Sequence, residues 1–317
     1  MAAGLLEHLE GLLARGPRPG EVAVTEALRW TALAASLPPG LEIQWLGTAG
    51  FRLAYAGTQL LIDPYLSRPG LGAVLWRRPL LPAEALVARH APAADAILVG
   101  HTHFDHAMDV PLIARRTGCP VYGSSSLRRL MALHGLERHF VETPLHRPFA
   151  VGPFEITFVP SVHSKLLLGL KVPAGGELTC DALDRLGGGA YRCGQVHGIH
   201  IAVGGITLYH QGSADLLDDE IRHRDVDVFL CGIAGRSFSR RYVERVLRAL
   251  APRVVVAHHH DDFFRPLDAP MGFSLNVSPA GFVDEVARVS RDFQVLFPAP
   301  LETVTGGAGA AAHPQAL

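Results

Sequence analysis

The sequence predicts one α/β domain, and three observations carry the expectation. Short runs rich in β-branched and aromatic residues recur along the chain and stop at glycine, proline or histidine. Between them lie helix-start signals, of which Asp109 followed by Pro111 and Leu112-Ile113-Ala114-Arg115-Arg116 is the plainest. A chain of 317 residues, 48% of them hydrophobic, can also bury a large core as a single domain with additions.

Residues 1–40 read as a helical extension packed on the core. Leu5, Leu6, Leu9, Leu12 and Leu13 form one apolar stripe, and 22–36 reads as a second helix ended by Pro38-Pro39-Gly40. The domain proper spans 41–305 and opens as a β-meander. Segments 41–47 and 51–55 alternate around a Gly-Thr-Ala-Gly turn, and 58–62 follows another glycine turn and runs into Asp63-Pro64. Residues 96–99 read as a buried strand ending at Gly100. Farther on, Phe154, Ile156 and Phe158 alternate with Glu155 and Thr157 until Pro160 closes the run.

The apolar patch 166–170 lies between Lys165 and the turn-prone Pro173-Ala174-Gly175-Gly176, and reads as a pocket wall or lid, or as a loop whose leucines plug the core. Strands follow at 205–209, 226–230 and 253–257, with Asp215 as N-cap of a helix over 216–221. The alanine- and glycine-rich end, 306–317, has no periodicity and reads as a disordered tail.

The densest chemistry lies at His101, Thr102, His103, Phe104, Asp105 and His106. Three imidazoles and a carboxylate within six residues exceed what folding requires and point to a metal centre. Past a strand end the backbone stays extended, so alternate side chains share a side and His101, His103 and Asp105 converge. A turn after Asp105 brings His106 back from another direction. Asp105 has a second reading as a helix cap, but Asp109 is the better start signal.

This HxHxDH pattern resembles the signature of the metallo-beta-lactamase superfamily. The resemblance implies a four-layer αβ/βα sandwich with two facing sheets, outer helices, and metals at one edge in loops that follow strands. It implies His101, His103 and His163 as ligands of one ion, and Asp105, His106 and His259 as ligands of a second. His163 follows its strand in the expected chain order. Among His258, His259 and His260, similar proteins' Pro-x-His pattern selects His259, which leaves His258 and His260 as pocket wall or as supports of the ligand. Asp63 matches an Asp-Pro of similar proteins and is placed to orient a ligating histidine, or simply to form a turn before proline. One position departs from the family: Ser213 stands where an aspartate usually bridges the two metals. Asp215 is then the candidate substitute ligand, in competition with its capping role.

The function so implied is hydrolysis by a hydroxide on one or two zinc ions, with Asp105 as catalytic group orienting the nucleophile and relaying a proton; iron and manganese are alternative ions. The chain most resembles the branch with ascorbate-6-phosphate lactonase-like and N-acylphosphatidylethanolamine phospholipase D-like hydrolases. That favours an ester, lactone or phosphodiester in a small-molecule substrate, with the patch at 166–170 suggesting an acyl portion. Arg236 is a candidate holder of a substrate anion, or a surface salt bridge. Two alternatives stand: a non-catalytic or regulatory metal-binding member, suggested by Ser213, and a di-iron redox protein, whose pattern has a carboxylate where His103 stands.

Composition narrows the partners. A net charge of −1 gives no global field for nucleic acid or an anionic membrane. Cys119, Cys180, Cys193 and Cys231 are widely spaced, which argues against a zinc knuckle or a disulfide framework and for a reducing compartment. The N-terminus lacks the pattern of a signal peptide, and no run reaches the ~18 apolar residues of a membrane span, so a cytoplasmic protein is expected.

Overall fold

The computed structural model describes residues 18–75, 78–165 and 172–307. Six strands lead the chain: β1 (Glu42–Gly47), β2 (Gly50–Tyr55), β3 (Thr58–Ile62), β4 (Ala96–Leu98), β5 (Val121–Gly123) and β6 (Phe140–Glu142). Eight follow: β7 (Phe149–Val151), β8 (Phe154–Ser161), β9 (Val196–Val203), β10 (Ile206–Gln211), β11 (Val228–Gly232), β12 (Val254–His258), β13 (Gln294–Leu296) and β14 (Thr303–Thr305). They form two seven-stranded sheets, ordered β14-β1-β2-β3-β4-β5-β6 and β13-β12-β11-β10-β9-β8-β7. Each sheet is antiparallel in one half and parallel in the other, with the changes at β3 and β10.

Four layers follow from which side chains are apolar. In β3 and β4, Leu60, Ile62 and Leu98 enter the core between the sheets, whereas Leu61 and Ile97 face outward onto helices. In β11 and β12, Leu230, Val254 and Val256 join the same inner core, whereas Phe229 and Val255 face the opposite outer layer. Strand side chains alternate between faces, so a strand apolar at every position must be covered on both. Helices Glu84–His90, Val110–Thr117 and Ser125–Leu133 cover the first sheet; Tyr242–Leu250 and Pro279–Val289 cover the second. The αβ/βα sandwich expected from the sequence is the fold observed.

Several boundaries differ. The helix expected over 22–36 is an α-helix at Pro19–Ala27 and a 3-10 turn at Trp30–Ser36. Backbone bonds from Phe297 to Leu28 and from Trp30 to Phe297 pull the chain out of the helix between them. Trp30, Leu33 and Leu37 enter the inter-sheet core rather than resting on it from outside. The helix expected after Asp215 shrinks to the 3-10 turn Asp218–Glu220. Gly306, expected in a loose tail, exchanges backbone bonds with Gly40 and Leu41. The leucine stripe at residues 5–13, the patch at 166–170 and the tail from 308 onward lie outside the described residues.

Candidate metal centre

The candidate site residues come from the C-terminal ends of strands that point to one edge of the sandwich. Asp63 follows β3, His101 follows β4, His163 follows β8, Ser213 follows β10, and His259 follows β12. Strands β3 and β4 are parallel, as are β10, β11 and β12. Strand β8 shares their direction because two antiparallel pairings, through β9, separate it from β10. Loops at the carboxyl ends of such strands meet in one crevice.

Two groups of donors meet there. The rings of His101, His103 and His163 stand 4.7 to 4.9 Å apart, centroid to centroid. His101 Nε2 lies 3.0 Å from His103 Nδ1. Hydrogen bonds to acceptors fix two of the tautomers: His103 donates its Nε2 proton to the Pro173 carbonyl at 2.8 Å, and His163 donates its Nδ1 proton to the Ser164 carbonyl at 2.7 Å. His103 therefore presents Nδ1, and His163 presents Nε2, as lone pairs. Burial holds all three rings neutral, moving His103 down to about 4 and His163 to about 3, with neighbouring imidazoles adding to the effect at His163; burial and the neighbouring histidines also hold His101 well below its ordinary value. A buried cluster of neutral imidazoles fits a divalent cation.

The ligand atoms of Asp105, His106 and His259 all lie within 4.8 Å of one another, forming the second group. Asp105 Oδ2 is 3.4 Å from His259 Nε2 and 3.8 Å from His106 Nε2. Burial opposes ionisation of Asp105, but His106, His259 and His103 outweigh it and hold its carboxyl below the usual carboxylate range. His106 donates Nδ1–H to Asp63 Oδ2 at 2.8 Å, turning Nε2 toward Asp105. Burial disfavours the charged His106 ring, yet the carboxylates of Asp63 and Asp105 raise its pKa. Asp63 is itself fixed by the Gly100 amide at 2.7 Å. Gly212 lets this pair close: a Cβ there would sit 2.8 Å from Asp63 Oδ2 and 3.2 Å from His106 Cε1.

His259 sits where the chain reverses, at φ 60°, a region that costs a non-glycine residue about 1–3 kcal/mol. Thr48, also left-handed at φ 53°, holds the reversal. Its carbonyl accepts the His259 amide at 2.9 Å and His258 Nδ1 at 3.2 Å, while its amide donates to Asp261 at 3.0 Å. Asp261 is paired at 2.5 Å with Arg68, and both side chains are buried.

The other sequence-predicted residues touch the following partners. Asp215 is turned away from the cluster: it pairs with Arg245 at 3.0 Å and accepts the Leu216 amide at 2.9 Å. Arg236 binds Glu285 and the Ser278 carbonyl and lies over the Phe282 ring, a buried structural role rather than an anion site. His258 faces the same way as Val254 and Val256, so it enters the inter-sheet core, where it stacks on His210. His260 stacks on Trp45 beside Phe273 and Phe297, so neither neighbour of His259 lines the crevice. Asp109 does occupy the N-cap position, but its carboxylate binds the Leu66 and Ser67 amides and the Ser67 hydroxyl instead of capping the helix. Ser213 donates its hydroxyl to the Val162 carbonyl.

The crevice opens into a cavity of about 360 Å³ whose wall includes His103, Asp105, His163 and His259. Phe104, Phe263 and Phe264 form an aromatic side, with ring centroids 4.3 to 6.2 Å apart. Sequence reasoning passed over this cluster, as it did the Thr48–Asp261–Arg68 support and Cys193, whose Sγ lies within 4.8 Å of ligand atoms of His101 and His103. The Phe263-Phe264 pair beside the histidine run was the available signal; nothing local marked Cys193.

Known proteins of the same design exist. Residues 42–259 match the beta-lactamase superfamily domain family, so the chain belongs to that family, within the metallo-beta-lactamase superfamily. It is 30% identical over 233 residues to a UPF0173 metal-dependent hydrolase of Anaeromyxobacter sp. (strain K), covering 70% of this chain and 75% of that one. Its fold is similar to that of Igni18, a metallo hydrolase from Ignicoccus hospitalis, with TM-score 0.53, 21% identity, and coverage of 84% of this chain and 97% of that one. It is also similar to the metallo-beta-lactamase fold protein YhfI from Bacillus subtilis, with TM-score 0.54, 15% identity, and coverage of 84% and 100%.

Proposed function

We propose that this metal-dependent hydrolase cleaves a carboxylic ester or lactone in a small molecule carrying an apolar acyl portion. The observation that carries the reading is that the rings of His101, His103 and His163, and the ligand atoms of Asp105, His106 and His259, cluster beside a largely apolar cavity. Imidazole-rich donors favour zinc, held by His101, His103 and His163 and, more weakly, by Asp105, His106 and His259. The second group is the weaker because Ser213 is committed to a carbonyl and Asp215 to Arg245. When bound, zinc supplies Lewis acidity and a nucleophilic oxygen at neutral pH.

The chain's own residues supply the rest. Asp105, ionised and facing the cavity, accepts a proton from the attacking water and hands it to the leaving group. Asp63 fixes the ring of His106, and Phe104, Phe263 and Phe264 receive the acyl portion and exclude water. Among the described residues the cavity wall holds no lysine or arginine, which favours a neutral ester or lactone over a phosphodiester. The free thiols of the four cysteines support a reducing compartment, the cytoplasm; no helix among the described residues is long and apolar enough to cross a membrane.

The test is a panel of short- and medium-chain nitrophenyl esters, lactones and bis-nitrophenyl phosphate, assayed with zinc-loaded protein. The expected result is turnover of esters or lactones that improves with acyl length, with the phosphodiester slower. Equal rates across acyl lengths would remove the acyl assignment, and an inert protein across the panel would overturn the reading.

A further inference from the structure

We infer that the ion held by His101, His103 and His163 has a fourth protein donor, the Sγ of Cys193. The inference rests on the reading of those three imidazoles as ligands. Cys193, His101 and His103 are 3%, 1% and 7% exposed, and their ligand atoms all lie within 4.8 Å of one another.

The backbone holds the thiol there. The Cys193 amide donates to the Ala174 carbonyl at 2.9 Å, and the next amide, of Gly194, donates to Gly176 at 3.0 Å. The Cys193 carbonyl accepts the Thr102 amide at 3.0 Å, while the Thr102 hydroxyl donates to the Arg192 carbonyl at 2.6 Å. Thr102 is the residue between the two imidazoles, so these bonds tie the backbone of residues 192 and 193 to the segment that carries His101 and His103.

Four protein donors fill a tetrahedral zinc, so the inference requires the nucleophilic oxygen to enter as a fifth ligand from the cavity side. Cys193 is absent from the wall of the cavity that holds Asp105 and His259, and it lines a second cavity, of about 380 Å³, together with His163. The thiol therefore comes to the imidazoles from the side away from the proposed substrate. Binding would replace the S–H bond by an S–metal bond, with the proton released to solvent. A thiolate among three imidazoles selects zinc over manganese or magnesium, which prefer oxygen donors.

The test is X-ray absorption at the zinc edge on the full chain loaded with one equivalent of zinc. The expected spectrum contains a sulfur shell at about 2.3 Å beside nitrogen at about 2.0–2.1 Å. In Cys193→Ser the sulfur shell is lost and zinc affinity falls by at least the roughly 10–100-fold that loss of an outer-shell partner costs, while Cys119→Ser, Cys180→Ser and Cys231→Ser keep it. Should Cys193→Ser not fold, retention of sulfur in all three other variants assigns the donor by elimination. Zinc bound through nitrogen and oxygen alone, or a sulfur shell that survives Cys193→Ser or disappears in another variant, overturns the inference and leaves the imidazole site intact. Failure of the wild-type chain to retain zinc defeats the underlying reading instead.

Discussion

Asp63 shows how much a single side chain contributes without touching an ion. Its carboxylate takes the His106 proton at one oxygen and the Gly100 amide at the other, which fixes both the tautomer and the angle of the ring. Asp63→Ala is expected to weaken the ion at Asp105, His106 and His259 about 10–100-fold and to leave the other ion nearly untouched, as read by titration against a chelator. Equal weakening of both would refute this division of labour. His103→Ala should remove an ion and turnover together; full activity in the purified variant would count against the mechanism. At this scale the sequence was legible where candidate ligands are dense, as in 101–106. It was not legible at Asp215 or Arg236, because their partners Arg245 and Glu285 lie 30 and 49 residues away and no local pattern announces them.

At the scale of elements, the loop after β12 matters most. Three histidines in a row leave the ligand open by one position, and the structure resolves their directions through the alternation of β12 followed by a reversal at His259. That reversal hangs on Thr48, and Thr48 on the buried Asp261–Arg68 pair. Asp261→Ala leaves the Arg68 charge buried and unpaired, so a loss of about 3–5 kcal/mol in denaturant unfolding is expected. A loss under about 1 kcal/mol would show that the pair does not hold the loop. Gly212→Ala should act on the same site from the other side, lowering metal affinity as the new Cβ presses on Asp63. Strands were easy to read because their apolar alternation is local. The break near Leu28 and the burial of Trp30 were not, since both depend on the distant Phe297 and the inter-sheet core.

For the whole molecule, neutral half-buried histidines make stability sensitive to mild acid. Burial lowers His134 and His200 to about 4 from an ordinary 6.5, helped by Arg115 beside the first and His223 beside the second. Between those values the unfolded chain takes up protons that the folded chain refuses, so stability is full above 6.5 and falls as pH drops toward 4. Unfolding midpoints of the metal-free protein should decline across that window; a flat profile would contradict the burial argument. The same sandwich gathers the proposed ligands that follow β4, β8 and β12, and the supporting Asp63 after β3, to one edge, and everything functional depends on that convergence binding metal. Elemental analysis of the purified chain alongside His103→Ala, read with turnover, tests it most directly. We expect zinc at one to two ions per wild-type chain, reduced in the variant in step with activity. Wild-type protein that hydrolyses substrate with no bound metal would contradict the account.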